Sequence, residues 1–161
     1  MSKLEENKPA PAAEFAFDNG QNKNLEDFKG KNIVLYFYPK DDTPGCTIEA
    51  RDFASLMPNF EKLNTVIIGI SKDNAKSHNK FREKYCLPFM LASDTDGRSC
   101  ETYGVLIQKN MFGKKYIGIQ RSTFVIDYAG ILRKIWYNVS VAGHAEEVLA
   151  LIKKLVNKME K

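Results

Sequence analysis

The sequence predicts an α/β fold with a central mixed β-sheet flanked by helices, and two observations carry that expectation. First, short uninterrupted runs of β-branched and aromatic residues, Ile33 to Tyr38 and Thr65 to Ile70, read as strands covered on both faces. Second, segments with helical spacing and capping residues separate such runs, so strand and helix alternate along the chain. At 161 residues the chain suits one domain with a sizeable core and is short for two.

Residues 1–13, polar and rich in Pro and Ala, read as a flexible lead-in to a single domain over residues 14–161. Phe15 and Phe17 alternate with Ala16 ahead of Asp18-Asn19-Gly20, a strand followed by a hairpin turn. The IVLYFY run is a strand that ends at Pro39. From Thr43 the pattern turns helical: Pro44 suits a first turn, where its missing N–H costs nothing, and Ile48, Phe53, Leu56 and Phe60 keep roughly helical spacing. Thr65 to Ile70 (TVIIGI) is a second buried strand, and Ser71 to Tyr85 a helix opened by capping-type residues and stopped by Pro88. Phe89 to Ala92 predicts a short strand and Gly97 to Tyr103 a short helix. Ser122 to Ile126 and Ile131 to Tyr137 predict two strands joined at Asp127 to Gly130. Gly143 to Met159 closes the chain as an amphipathic helix with Val148, Leu151, Ile152 and Leu155 on one face.

Composition removes several classes of function. Hydrophobic residues at 43% and charged residues at 27% are ordinary for a globular protein. The apolar runs fall far short of the roughly 18 residues that span a bilayer, so no membrane role is expected. The opening MSKLEENKPAPAA carries acidic residues where a signal peptide has an apolar stretch, which predicts a cytoplasmic protein. Lys and Arg total 24 against 20 Asp and Glu, and the basic residues are dispersed, so nucleic acid is not an expected partner. The basic IKKLVNKMEK segment reads as the solvated face of the last helix.

Three cysteines, Cys46, Cys86 and Cys100, without a CxxC pair, fit neither a disulfide framework nor a zinc site. His78 and His144 lie far from the cysteines in sequence and read as surface residues, so no metal centre is expected. Cys46 stands apart from the other two cysteines. In YPKDDTPGCTIEARDF it follows a strand end at Pro39, a polar loop and Pro44, which puts it in the first turn of a helix. There the unpaired backbone N–H groups and the positive end of the helix dipole favour thiolate over thiol. Ionisation alone is a modest lever: a free cysteine is about 3% thiolate at pH 7, so full ionisation gains about thirtyfold, about 2 kcal/mol. A thiolate made less basic is also a weaker nucleophile, by about tenfold for such a change. A fast nucleophile here therefore needs donors that stabilise charge as it moves in the transition state. The bland reading of Cys46 is a small buried residue at a helix start.

At this point the residues resemble a known family. YFYPKDDTPGCT, with the pattern P-x-x-x-T-x-x-C at Pro39, Thr43 and Cys46, resembles the active-site segment of peroxiredoxins. The long form is most similar to the peroxiredoxin Q group, also called bacterioferritin comigratory proteins. LEDFKGKNIVLYFYPKDDTPGCTIEARDF, VIIGISKDNAKSHNKF, LPFMLASD and RSTFVID all match it in order, from about residue 9 to the last helix. The resemblance implies a thioredoxin-like fold and reduction of hydrogen peroxide and organic hydroperoxides without metal, haem or flavin. It implies that Cys46 attacks the peroxide and becomes a sulfenic acid, that Thr43 Oγ and the Cys46 N–H hold the peroxide oxygens, and that Pro39 shields the site. It also implies that Arg121, which opens RSTFVID, sits beside the thiolate. A guanidinium is always charged and presents fixed donors, which is what the rate arithmetic requires. Glu49 matches a frequent acidic position that orients an arginine.

The pattern breaks at one place. Many members of the group carry a resolving cysteine five residues after the first, where this chain has Arg51. Cys86 lies about one turn beyond another position used in the group, near Arg82, and is the tentative resolving cysteine; the alternative is reduction by an external thiol. Cys100 reads as packing. The expectation is a monomeric thiol peroxidase that takes electrons from thioredoxin or another thiol reductant. The rival is a redox sensor in which oxidation of Cys46 signals to a partner.

Overall fold

A computed structural model describes residues 4–159. Its main sheet has eight strands: β1 (Lys8–Pro9), β2 (Glu14–Phe17), β3 (Asn22–Asn24), β4 (Asn32–Phe37), β5 (Thr65–Ser71), β6 (Met90–Ser93), β9 (Ser122–Ile126) and β10 (Ile131–Trp136), in the order β1-β10-β9-β4-β5-β6-β2-β3. Strands β4, β5 and β6 run parallel, and β9 runs antiparallel to β4 with Ile33 opposite Ile126 and Phe37 opposite Ser122. The helices are α1 (Pro44–Ser55), α2 (Met57–Lys62), α3 (Ala75–Tyr85), α4 (Arg98–Thr102) and α5 (His144–Met159).

Alternation along β4 divides the interior in two. Val34, Tyr36 and Tyr38 join Phe53, Phe60, Phe81, Val148 and Ile152 under α1, α2, α3 and α5. Ile33, Leu35 and Phe37 point the other way, to Phe15, Cys100, Tyr103 and Phe124. Every residue of β4 is buried, as a strand covered on both faces requires. The architecture is the thioredoxin-like α/β arrangement that the resemblance implies.

Four differences from the sequence expectation have physical causes. The helix expected to run on through Phe60 breaks at Leu56, and α2 begins with Pro58 in its first turn, because proline removes an N–H and crowds the carbonyl four residues back. Ile48, expected on the apolar face, is 53% exposed. Helix α3 begins at Ala75 rather than near Ser71, which still belongs to β5; the Asn74 side chain caps it by accepting from the Ser77 N–H. The lead-in is tied down from Asn7: Asn7 N–H donates to Leu132 O, Ala10 N–H to Gly130 O, and Lys8 and Pro9 pair with β10 at the sheet edge. Proline is tolerated on such an edge. Residues 1–3 of the expected lead-in lie outside the described residues.

Between α4 and β9 the chain forms a hairpin that the residue pattern leaves unassigned, β7 (Leu106–Met111) and β8 (Lys114–Ile119), as a separate two-stranded sheet. Its two-residue turn places both Phe112 and Gly113 at positive φ, 53° and 78°, the mirror-image turn that matches strand twist.

Candidate active site

Strand β4 delivers the chain to the site. Tyr38 still donates its N–H to Ile70 O, continuing the sheet by one residue, and the half-buried Pro39 then turns the chain away. Asp42 takes a left-handed conformation (φ 56°), and Thr43, extended at φ −94° and ψ 157°, becomes the N-cap of α1. The Thr43 hydroxyl donates to Lys40 O at 2.8 Å, and no side-chain bond caps the helix start. First-turn N–H groups therefore remain without a capping side chain, the usual character of an anion-binding helix start. Cys46 is the third helical residue and is 1% exposed.

Arg121 reaches this helix from the residue before β9, 75 positions along the chain. Its Nη2 donates to Cys46 Sγ at 3.3 Å and its Nη1 to Glu49 Oε1 at 2.7 Å. Gly45 permits the approach: a Cβ there would stand 3.1 Å from Nη2. Glu49, one helical turn after Cys46, is 2% exposed, and its Oε2 has no hydrogen-bond partner among the described residues. Burial pushes its carboxyl up to about 7, with the Arg121 charge pulling back part of the way. Burial disfavours the Arg121 charge, but Glu49 and then Cys46 outweigh it and raise its pKa. Tyr36, buried beneath the site with an unpartnered hydroxyl among the described residues, is raised by desolvation and then by Glu49 and Cys46. A further cation, Lys109 of β7, is felt here: its pKa is lowered by burial and by the Arg121 charge, against an opposing pull from Cys46. Sequence reasoning missed Lys109 because it missed the hairpin that carries it.

The two histidines are not surface residues. His78 on α3 is fully buried, and His144 at the start of α5 is 4% exposed. His144 contacts Thr123 Oγ1 at 2.9 Å, and burial lowers its pKa. Asp41, Asp73 and His78 bring ligand-type atoms within 4.8 Å of one another. Both His78 nitrogens and both Asp41 oxygens already make hydrogen bonds, so the grouping is a hydrogen-bond network around the loop that precedes Thr43.

The other two cysteines lie in different surroundings. Cys86 is exposed and caps the end of α3 in a left-handed conformation (φ 52°). Its neighbour Tyr85 donates to Asp42 Oδ1 at 2.7 Å, and Lys84 binds Asp42 Oδ2 at 2.8 Å, so the end of α3 is strapped to the loop before Thr43. Arg51, standing where a partner cysteine is common in the group, lies over the Tyr85 ring at 5.9 Å. Cys100 is buried against the other core; desolvation and then the Asp94 carboxylate push its thiol far up.

Comparison with known proteins gives this geometry a family. The AhpC/TSA family model matches residues 7–135, most of the chain. The chain belongs to the AhpC/TSA family. It is 49% identical to a putative peroxiredoxin bcp of Coxiella burnetii, over 91% of this chain and 97% of the relative. It is 47% identical to peroxiredoxin Bcp of Bacillus subtilis, over 96% of this chain and 99% of the relative. Among solved structures, a peroxiredoxin Q mutant of Xylella fastidiosa superposes with a TM-score of 0.89 at 37% identity, covering 96% of this chain and 98% of that one. The bacterioferritin comigratory protein of Xanthomonas campestris superposes at 0.85 with 42% identity, covering 89% and 92%. This chain is thus a peroxiredoxin of the Q group and a thiol peroxidase. In this peroxiredoxin the fold brings Cys46, Arg121 and Glu49 into one chain of contacts, sets Thr43 at the mouth of the same helix, and leaves Cys86 exposed at the end of α3.

Proposed function

We propose that Cys46 is the peroxide-reducing cysteine and that Arg121 and Thr43 hold the peroxide against it. The observation that carries this reading is the guanidinium contact at 3.3 Å with Cys46 Sγ, steered from its other end by Glu49. The thiolate attacks the terminal oxygen of a hydroperoxide; the S–O bond forms as the O–O bond breaks, and the departing oxygen takes up a proton to leave as water or an alcohol. Negative charge moves from sulfur onto the departing oxygen. Fixed N–H donors of Arg121 and of the Cys46 backbone meet that charge without rearranging, the condition under which such donors are worth most. The Thr43 hydroxyl oxygen, one helical turn before Cys46, accepts a hydrogen bond from the peroxide while its own hydrogen stays on Lys40 O, and Pro39 limits water at the site. Organic hydroperoxides are included among the substrates because the X. campestris relative is described with alkyl peroxide reduction activity.

In the second half of the cycle Cys86 is the resolving cysteine. Its thiolate attacks the sulfenic sulfur of Cys46; the S–S bond forms as the S–O bond breaks, the departing hydroxide takes up a proton to leave as water, and thioredoxin or another thiol reductant then reduces the disulfide. Support comes from its exposure and from the strap that already joins Tyr85 to Asp42. Residues 14–161 act as one domain, with β1 of the lead-in paired onto the edge of its sheet. The protein works as a monomer in the cytoplasm, without nucleic acid or membrane partners; the near balance of basic and acidic residues, 24 against 20, supports the lack of a nucleic-acid partner. No helix among the described residues is long and apolar enough to cross a membrane.

Peroxide consumption with a thiol reductant tests the assignment. Cys46→Ser is expected to abolish turnover; near-normal turnover by this variant would refute the reading. Peptide mapping after one equivalent of peroxide, without added thiol, is expected to show a disulfide between Cys46 and Cys86. Sulfenic acid that persists on Cys46 would instead assign resolution to an external thiol.

A further inference from the structure

His78 is the one fully buried histidine, and the chemistry proposed above gives it no role. Its Nε2 lies 3.0 Å from Ala92 O on β6; a carbonyl only accepts, so Nε2 carries a hydrogen. Its Nδ1 lies 2.8 Å from Asp41 Oδ2, while the Tyr38 hydroxyl donates to Asp41 Oδ1 at 2.6 Å. A proton is therefore held between Nδ1 and Oδ2, and the two side chains act as one unit. Ser77 Oγ adds a third donor to Asp41 at 2.8 Å. The Asp41 N–H donates to Asp73 Oδ2, which also accepts from Ser71 Oγ. Among the described residues no side-chain atom of this network is both buried and unpartnered.

The network does not touch Cys46. It grips the loop of residues 39–43 at Asp41, immediately before the left-handed Asp42 and the N-cap Thr43. A non-glycine residue in that conformation persists only when its surroundings hold it there. Lys84 and Tyr85 hold Asp42 from outside, and His78 holds Asp41 from within. Both anchors belong to α3, so the position of Thr43 and of the α1 helix start is set by a helix that contributes no group to the peroxide-reducing step.

We propose that His78, acting through Asp41, is a positioning residue for peroxide reduction, which fixes the loop that places Thr43 and the first turn of α1. The proposal rests on the reading of Cys46 as the reacting cysteine. Misplacing a reacting geometry by about 1 Å costs about a hundredfold in rate.

The test compares two reactions of Cys46 in the full chain. For His78→Gln the second-order rate of oxidation by hydrogen peroxide is expected to fall by about ten- to a hundredfold. Alkylation of Cys46 by iodoacetamide, read by peptide mapping apart from the exposed Cys86, needs the thiolate but no donor that holds a peroxide, so it is not expected to fall. Ile152→Val, or a larger truncation at Ile152 chosen to match the loss in melting temperature, supplies the structural control on α5 and is expected to keep the oxidation rate. Unchanged oxidation in His78→Gln, a parallel fall in alkylation, or an equal fall in the Ile152 control would each overturn the proposal. If His78→Gln does not fold, Ser77→Ala removes one half-buried donor from Asp41 and is expected to slow oxidation by about two- to tenfold; no change there sinks the idea equally. Retained peroxide turnover in Cys46→Ser would sink the underlying reading instead, whatever His78→Gln does.

Discussion

Cys46 and Cys100 occupy the same kind of place and differ in their company. Each is the third residue of a helix, α1 for one and α4 for the other, and each is at most 1% exposed. At α1 the neighbour is a guanidinium, 3.3 Å from the sulfur. At α4 it is the Asp94 carboxylate, which accepts the N–H of Cys100 at 2.8 Å and uses the helix start for itself. Desolvation, followed by this carboxylate, raises the Cys100 thiol. A helix N-terminus is thus not sufficient to favour a thiolate. The dipole is worth a fraction of a charge, about half; beside the two equally buried sulfurs stand full charges of opposite sign, a guanidinium at Cys46 and a carboxylate at Cys100.

The comparison is broken most severely at Arg121. Arg121→Gln removes the charge but keeps a donor, and the second-order rate of Cys46 oxidation is expected to fall by about 10²- to 10³-fold, as when a single charge-stabilising donor is lost. Arg121→Lys keeps the charge and loses the fork that binds Cys46 and Glu49 together; a smaller but clear loss is expected, and an unchanged rate in both variants would remove Arg121 from the site.

Glu49 gives an effect of intermediate size, read as stability against pH. Its carboxyl is raised from 4.5 in an unfolded chain to about 7 in the fold, so the fold favours the protonated form. Its stabilising contribution is complete below pH 4.5 and is lost as pH rises through about 7. Glu49→Gln keeps the shape and does not ionise. Relative to the parent protein this variant is expected to gain stability between pH 4.5 and pH 8, by at most about 3 kcal/mol, in urea denaturation at the two pH values. A difference that does not change with pH would mean that Arg121 keeps Glu49 charged throughout.

The smallest effect belongs to Cys100. Cys100→Ala is expected to cost about 1–3 kcal/mol of stability by opening a small space in the core beside Tyr103 and Phe124, while peroxide turnover stays within about twofold.

The buried strands and the strand-to-helix junction at Cys46 were legible because each depends on local signals: apolar runs for β4 and β5, Pro44 for the start of α1. The β7–β8 hairpin was not, since its strands carry exposed Met111, Tyr116 and Ile117 and so lack the alternation a half-buried hairpin shows. His78 looked like a surface residue because most of its own helix is polar; its burial is imposed by β4 and β6, which bring Asp41 and the Ala92 carbonyl to it. Arg121 is legible through resemblance to a family and not through pattern, and the antiparallel pairing of β9 with β4 explains how it reaches Cys46. Contacts between residues far apart in sequence are properties of the sheet order, which a single sequence does not display.

We infer that the charge beside each buried cysteine, and not its place in a helix, makes Cys46 reactive and leaves Cys100 inert. Quantitative mass mapping of all three cysteines after one equivalent of hydrogen peroxide tests it most directly. Oxidation is expected to appear on Cys46, as sulfenic acid or as a disulfide with Cys86, with Cys100 still reduced. Oxidised Cys100 beside reduced Cys46 would contradict it.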